Sequence, residues 1–329
     1  MQLITGSALS GAWQEKHFDF LTANGLSPTE HMDFTALLTD EDDVIAAGSL
    51  DGYTLKCLAV SPLYQGEDLL SRIMTALLQE AMARGYDKLM LYTKPLNRSR
   101  FAPFGFYPLV RTRDCLVMEN RRTGLTDFLN AVKVPCAVGP VGAIVANCNP
   151  FTLGHQYLME QAAKDTGTLH VFVLSEDKGL FSPHERLEIA KKGLAHLSNV
   201  HVHGTDAYMV SSATFPTYFI KDREKAAQVY CESDITLFGE KIAPALSITR
   251  RYVGTEPHSP VTNCYNETMK QLLPHYGIDV IEMDRMEKDG CAVSASRVRE
   301  LMKTGDIDAI SRLVPQTTMP YILKKLGGT

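Results

Sequence analysis

The sequence lacks an excess of basic residues, which excludes a large class of functions. Its 33 Lys and Arg residues are outnumbered by 38 Asp and Glu residues, so the formal net charge at pH 7 is -5. A general nucleic-acid binder needs clustered cations to neutralise the phosphate backbone. We therefore expect no nucleic-acid partner.

Long apolar runs and a secretory leader are also missing. The longest nearly uncharged stretch, around Val134 to Asn149, contains Pro and Gly and is too short to cross a bilayer. The first residues, Met1 to His17, have no basic start followed by an apolar core. These absences predict a cytoplasmic protein without a membrane partner.

Cysteine spacing excludes the common zinc and redox motifs. The chain has seven cysteines, an odd number, and no pair shows CxxC spacing. Most of them are expected to be small buried apolar residues. His201 and His203 flank one valine on an expected strand and share its face, but no third ligand is identifiable. The sequence therefore predicts no protein metal site.

The length and composition predict two globular domains. At 329 residues, with 45% apolar and 22% charged residues, the chain can form two cores of ordinary size. We place the boundary between residues 134 and 135, after an expected short helix from Leu125 to Val132. In domain 1–134, Asp43 to Ser49 and Tyr53 to Val60 are expected to form a hairpin. A helix of about Asp68 to Arg84 follows, so this domain is α+β.

The second domain, 135–329, alternates expected strands and helices, which is typical of a parallel α/β sheet. The turn Ser182-Pro183-His184-Glu185 is expected to begin a helix with a capping box. Ile235 to Phe238 is expected to be one of the strands.

The stretch from Val141 to His155 is the centre of this domain. An apolar run rich in β-branched residues meets Asn149-Pro150, and the segment from Gln156 to Lys164 is expected to be helical. The start of a helix offers free backbone N–H groups and a partial positive charge. Gly154 permits close phosphate approach, while Thr152 and His155 supply donors. The turn therefore predicts a nucleotide phosphate site.

Two motifs in this domain resemble those of the nucleotidyltransferase superfamily that includes phosphopantetheine and nicotinate-mononucleotide adenylyltransferases. Thr152-Leu153-Gly154-His155 resembles its T/HxGH motif, and Val293 to Arg299 resembles its ISSTxIR motif. The resemblance implies a Rossmann-like HUP-type fold with ATP and Mg²⁺ as cofactors. It also implies that His155 contacts the α/β-phosphates and that Thr152 orients the attacking group or the α-phosphate. Ser294, Ser296 and Arg299 would hold the β/γ-phosphates. Lys178, in a polar loop, is a further catalytic candidate above the triphosphate.

The first domain resembles the GNAT acetyltransferase fold. Val60-Ser61-Pro62, Tyr64-Gln65-Gly66 and Phe104-Gly105-Phe106 carry the resemblance. Asp68 and Leu70 stand where that family has small residues beside the pyrophosphate of acetyl-CoA, and both oppose close phosphate approach. Whether this domain binds acetyl-CoA, a carrier arm or neither stays open. A GNAT-like fold is shaped for a pantetheine arm, so it could receive one from a carrier protein.

The combination of these domains is similar to the citrate lyase ligase family, also called acetate:citrate lyase ligase. The stretches that carry the likeness are Asn149 to His155, Ala213 to Phe219, Gly254-Thr255-Glu256-Pro257 and Ser294-Ala295-Ser296. The resemblance implies that ATP and acetate give acetyl-AMP and pyrophosphate. The acetyl group then passes to the prosthetic-group thiol of the citrate lyase acyl carrier subunit, which belongs to a phosphoribosyl-dephospho-CoA arm. The catalytic candidates are therefore His155, Thr152 and Arg299, together with Lys178 from its place in the polar loop, and the nucleotide-binding candidates are Asn149, Phe151, Gly154, Gly254, Thr255, Glu256, Ser294 and Ser296.

Three other functions stay open at the level of sequence. An adenylyltransferase would join AMP to a phosphorylated metabolite and ignore acetate. An acetyltransferase would consume acetyl-CoA without ATP. A non-catalytic assembly factor for citrate lyase would bind the carrier without nucleotide turnover.

Overall fold

Two large sheets organise the chain, one with seven strands and one with five. The computed structural model describes residues 1–9, 11–28, 31–64, 68–176, 179–209, 215–220, 222–255, 260–288 and 290–327, apart from the side chains of 223, 224, 260 and 261. The chain forms two compact units, Met1–Asp127 with Phe215–Ser233, and Phe128–Thr214 with Asp234–Thr329. These compact units are defined by packing, whereas the predicted domains 1–134 and 135–329 are defined by function, so the limits of the predicted domains stay a prediction.

The first unit is built on a mixed sheet with the order β1-β2-β3-β4-β5-β7-β6. Its elements are β1 (Gln2–Gly6), α1 (Gly11–Ala23), β2 (Phe34–Asp40), β3 (Asp43–Asp51), β4 (Thr54–Val60), α2 (Leu69–Ala83), β5 (Met90–Thr93), α3 (Arg98–Phe101), β6 (Tyr107–Arg111) and β7 (Leu116–Glu119), followed by α4 (Gly124–Val132), which spans the point of division. Neighbouring strands are antiparallel except β4 and β5. That pair is parallel and is joined only at Thr54 with Met90 and at Leu55 with Leu91. The predicted hairpin of β3 and β4 and the predicted helices α2 and α4 are present.

Helix α2 closes the core of the first unit because its apolar residues recur at helical spacing. Ile73, Met74 and Leu77 have no solvent exposure and pack in one cluster with residues of the sheet. The compact aromatic turn after α3 ends at Gly105, whose φ of 79° is readily adopted by glycine. Phe106, the next residue, is then buried in the same core.

The second unit is built on a parallel sheet with the order β10-β9-β8-β11-β12. Its elements are β8 (Val141–Ala146), α5 (Leu153–Lys164), β9 (Thr168–Val173), α6 (Pro183–Leu194), β10 (Val200–Gly204), the end of α7 (Arg223–Leu237), a π-helical turn (Phe238–Ile242), α8 (Ala243–Ala245), β11 (Arg250–Gly254), α9 (Pro260–Leu272), β12 (Asp279–Met283), β13 (Glu287–Lys288), β14 (Cys291–Ala292), α10 (Ala295–Thr304), α11 (Ile307–Ser311) and α12 (Met319–Gly327). The part of α7 up to Ser233 belongs to the first unit. All four strand pairs of this sheet are parallel. The predicted α/β fold class is therefore confirmed, with an α+β unit followed by a Rossmann-like sheet.

One predicted strand is wrong. Ile235 to Phe238 forms the end of α7 and the start of the π-helical turn. A short apolar run does not distinguish a buried strand from a buried helical segment, and two β-branched residues favoured the strand. Ile235, Leu237 and Phe238 are all buried, so this short stretch is apolar because it is buried and not because it is extended.

The core of the second unit lies between the sheet and helices that include α5, α6 and α10. Val171, Ile189 and Val298 come from β9, α6 and α10 and belong to one buried cluster. Helix α6 begins with the predicted capping box of Ser182 and Glu185. Within the described ranges, no helix is both long and apolar enough to cross a membrane.

Candidate active site

A cavity of about 440 Å³ opens in the second unit where strands β8 and β11 separate. Strands β9 and β10 follow one another on one side of β8, whereas β11 and β12 follow one another on its other side, so the strand order reverses between β8 and β11. Strand β8 pairs with β11 only through Gly142 and Ala143, so residues Ile144 to Ala146 line the opening. Open parallel sheets bind ligands at such a point, beyond the carboxyl ends of the strands.

The amino terminus of α5 lies at this cavity, and its first turn is held by a capping box. The Thr152 hydroxyl accepts a hydrogen bond from the backbone N–H of His155 at 3.3 Å. In return, the backbone N–H of Thr152 donates to Nδ1 of His155 at 3.1 Å. Both residues line the cavity. The capping box therefore fixes the imidazole ring at the start of the helix.

The hydrogen bonds of His155 also define its protonation. A backbone N–H only donates, so Nδ1 is the acceptor and the proton of the neutral ring is on Nε2. Burial, together with the positive charges of Arg285 and Arg299, lowers the pKa of His155 to about 4. At neutral pH the ring is consequently an uncharged hydrogen-bond donor.

The amino terminus of α10 lies at the same cavity. Ser294 caps this helix by accepting a hydrogen bond from the backbone N–H of Arg297 at 3.2 Å. Arg299 donates from Nη2 to the Ser296 hydroxyl at 3.0 Å and from Nη1 to the carbonyl oxygen of Asn149 at 2.6 Å. The guanidinium of Arg299 thus connects the two helix starts. Their free N–H groups and partial positive charges are suited to an anionic ligand.

Gly154 brings these helix starts together. A Cβ atom at this position would lie 2.5 Å from the carbonyl oxygen of Val293, the residue before the Ser294 cap. A side chain would collide with this backbone atom, so only glycine permits the observed approach. The sequence explained Gly154 by the approach of a phosphate, whereas the structure shows close contact with the segment that leads into α10.

The other predicted site residues fall into three groups. Gly254 lines the cavity at the end of β11, and the adjacent Thr255 accepts a hydrogen bond from Nε of Arg285 at 2.5 Å through its carbonyl oxygen. Asn149 and Phe151 lie in the turn, and the Phe151 ring is fully buried and stacked on His155 with ring centroids 5.8 Å apart. Lys178 and Glu256 lie outside the described residues, as do positions 211–214. The functional roles of all these residues stay predictions.

Sequence reasoning missed three charged residues that line the cavity. Asp284 and Arg285 directly follow β12, and Arg251 lies within β11 with 3% of its surface exposed. Two signals could have identified them: polar residues that follow a parallel strand, and an arginine inside a buried strand. Arg186, in helix α6, is not among the residues that line the cavity. It donates hydrogen bonds to Asn147 and to the carbonyl oxygen of Glu176, which hold these backbone segments in place.

The donor set of the cavity fits a nucleoside triphosphate with its metal ion. Three arginines, two helix starts and several hydroxyl and amide groups line it, so negative charge is favoured. Among its lining residues within the described ranges, Asp284 is the one carboxylate. A Mg²⁺ ion would therefore be held mainly by phosphate oxygens, with Asp284 as the available protein ligand.

The fold and cavity can be compared with known proteins. The citrate lyase ligase C-terminal domain family matches residues 141–322. The citrate (pro-3S)-lyase ligase of Klebsiella pneumoniae is 40% identical over 311 residues, which cover 93% of this chain and 91% of that protein. The enzyme of the same name from Escherichia coli is 37% identical over 92% of this chain and 88% of that protein.

Among solved structures, Escherichia coli ElaA matches 37% of this chain and all of its own, with 14% identity and a TM-score of 0.34, which is too low to add to the fold described above. The two ligases match this chain over nearly their whole length, so the predicted family and the predicted ligase class of enzyme are both confirmed. The chain belongs to the citrate (pro-3S)-lyase ligase family.

Proposed function

We propose that this chain uses ATP and acetate to make acetyl-AMP, and then acetylates the prosthetic-group thiol of the citrate lyase acyl carrier subunit. Citrate lyase as the target follows from the name of its relatives. One observation about the cavity supports the proposed adenylation. Two helix starts, the neutral donor His155 and the cation Arg299 meet at a single cavity.

In the first step an acetate oxygen attacks the α-phosphorus of ATP. The new bond is between that oxygen and phosphorus, and the bond to the bridging oxygen of the β-phosphate breaks, which releases pyrophosphate. Negative charge increases on the oxygens of the α-phosphate and of the leaving group. Donors that are already in place stabilise this charge without reorganisation, and His155, Arg299 and Arg285 are such donors. A bound Mg²⁺ ion would neutralise further phosphate charge.

In the second step the carrier thiol attacks the carbonyl carbon of acetyl-AMP. A carbon–sulfur bond forms, the bond between the carbonyl carbon and the phosphate oxygen breaks, and AMP and a proton are released. No nucleophile from this chain is required. Cys148, in the turn itself, is unsuited to that role because burial raises the pKa of its thiol to about 12.

The cytoplasm is part of the same proposal. All seven cysteines are free thiols, four of them buried and three exposed. Disulfides are typical of oxidising compartments, and free thiols fit a reducing one. ATP, which the first step consumes, is also supplied there.

Acetate-dependent exchange of label between pyrophosphate and ATP tests the first step. His155→Ala should lower the exchange rate by roughly 10²–10³-fold, the scale for the loss of one transition-state donor. His275→Ala, which removes an exposed histidine that does not line the cavity, is the matched control and should exchange normally. Wild-type exchange in His155→Ala would contradict the role of this residue. A stable dinucleotide, formed without any need for acetate, would instead indicate an adenylyltransferase.

A further inference from the structure

One segment of the first unit is strongly basic, although the chain as a whole is acidic. The twenty residues from Lys94 to Arg113 contain five basic residues and no acidic residue. The five are Lys94, Arg98, Arg100, Arg111 and Arg113, and all of them are exposed. We call these five side chains the basic surface. Within the described ranges, none of their side chains forms an ion pair or a hydrogen bond.

Three members of the basic surface, Lys94, Arg111 and Arg113, line a groove of about 530 Å³. Its lining residues are Gly25, Lys94, Pro95, Leu96, Arg111, Arg113, Asp114, Phe219, Ile220, Asp222 and Lys225. Asp114 is neutralised by Lys225 at 3.0 Å, and Asp222 accepts a hydrogen bond from the backbone N–H of Lys225 at the start of α7. Lys94, Arg111 and Arg113 therefore leave the groove positive.

The groove also has an apolar component. Leu96 is 88% exposed beside Lys94. Pro95, Phe219 and Ile220 line the same groove. Arginines interleaved with apolar side chains are typical of protein interfaces, where the apolar residues are buried and the charges select the partner.

We propose that the basic surface, with Leu96, is the docking surface for the acyl carrier subunit. This inference rests on the proposed function, which requires a carrier with a phosphorylated arm. Its phosphate groups make that arm negatively charged, so its charge is complementary to the five cations. The surface attracts the carrier and orients it, and the adenylation cavity of the second unit performs the chemistry.

A protein carrier fits this surface better than a nucleic acid. Nucleic-acid binding commonly uses about 6–10 phosphate contacts, and the basic surface has five cations in a chain of net charge -5. Exposed Leu96 would gain nothing from a phosphate backbone, whereas a protein face can bury it.

The test uses the thiol form of citrate lyase as the acceptor and measures its KM and the kcat of acetylation at low and high salt. Arg111→Glu with Arg113→Glu reverses two charges of the groove. Because exposed interface charges act mainly on association, KM should rise by about 10-fold or more at low salt with kcat little changed. The difference should shrink at high salt, where the charges are screened.

Three further variants make the result specific. Arg111→Lys with Arg113→Lys keeps the charges and should keep the wild-type KM. Lys133→Glu with Lys324→Glu reverses two exposed charges outside the basic surface and is the matched control. Arg98→Glu with Arg100→Glu is an independent second pair that should also raise KM, so a folding defect in the first pair does not decide the outcome.

Several outcomes would overturn the docking surface. One is an unchanged KM in both reversal pairs, and another is an equal rise in the matched control. A third is loss of RNA binding in the reversal pairs with the carrier KM preserved, which would identify a nucleic-acid site. Acetate-dependent exchange separates this inference from the proposed function. Absence of exchange in the wild type rejects the function, whereas normal exchange with an unchanged carrier KM rejects only the docking surface.

Discussion

Gly154→Ala is the substitution that most directly tests the pairing of the two helix starts. It adds a single methyl group to α5 and removes no donor, charge or hydrogen bond from the cavity. Its new Cβ atom would lie 2.5 Å from the carbonyl oxygen of Val293. Both atoms are held by backbone, since Gly154 is in the first turn of α5 and Val293 directly precedes the Ser294 cap of α10.

The structure gives the size of the displacement. Real Cβ atoms essentially never approach a neighbour more closely than 3.0 Å, and an unstrained contact begins at about 3.4 Å. The helix starts must therefore separate by 0.5 Å (3.0 minus 2.5) to 0.9 Å (3.4 minus 2.5). A misplacement of about 1 Å in a catalytic site can cost about 10²-fold in rate. We expect Gly154→Ala to lower the exchange rate by about 30–100-fold and to cost about 1–3 kcal/mol of stability through overpacking.

The assay combines acetate-dependent exchange with unfolding in urea, so that loss of activity is distinguished from loss of structure. Gly327→Ala is the matched control, because a Cβ there meets no atom within 4 Å and its φ is not positive. It should exchange at the wild-type rate. A folded Gly154→Ala protein with wild-type exchange would refute the reasoning, because the spacing of the helix starts would then be irrelevant to the reaction.

Two further predictions concern single contacts. Arg285→Leu should raise the pKa of His155 from about 4 towards 6.5, since a positive charge that disfavours the imidazolium is removed, and an NMR titration of the ring checks this. In the wild type, the pKa of His155 is about 4 in the folded protein, against 6.5 for an unperturbed histidine. Between these two pH values the unfolded chain binds more protons at His155 than the folded protein does, so the free energy of unfolding decreases as the pH falls from 6.5 to about 4. Tyr218→Phe removes a buried hydrogen bond of 2.6 Å to the carbonyl oxygen of Tyr92 and should cost about 0.5–1.5 kcal/mol in urea unfolding. Acetate-dependent exchange should not change in that variant, and an unaltered urea midpoint would contradict the contribution of the bond.

Local features of the fold were predictable because neighbouring residues determine them. Apolar spacing is sufficient for α2, and the capping residues Thr152, Ser182 and Ser294 mark helix starts that the structure contains. The family was predictable for the same reason, because the motifs at Thr152 to His155 and at Val293 to Arg299 are short and contiguous. Each such feature needs information from only a few adjacent positions.

The sequence did not reveal which unit each segment would join. Phe215 to Phe219 lies in one of the stretches that carry the family resemblance, and the predicted domain limits place it in the domain 135–329. In the structure this segment belongs to the first unit, where the Tyr218 hydroxyl bonds the backbone of β5. Burial of these aromatic rings depends on strands more than 100 residues earlier in the chain. A local sequence pattern cannot predict a contact between segments that are so far apart.

The sequence by itself determined the turn from Asn149 to His155, the helix start at Thr152 and the family to which the chain belongs. Tertiary structure decided which distant groups meet there. From the sequence, Gly154 was expected to permit the close approach of a phosphate. In the structure it is in close contact with Val293, and this contact lets the N-termini of α5 and α10 approach each other. Arg285 joins the cavity only because β12 ends beside β11 in the sheet order. Local chemistry follows from adjacent residues, whereas the approach of separate elements depends on packing across the whole unit.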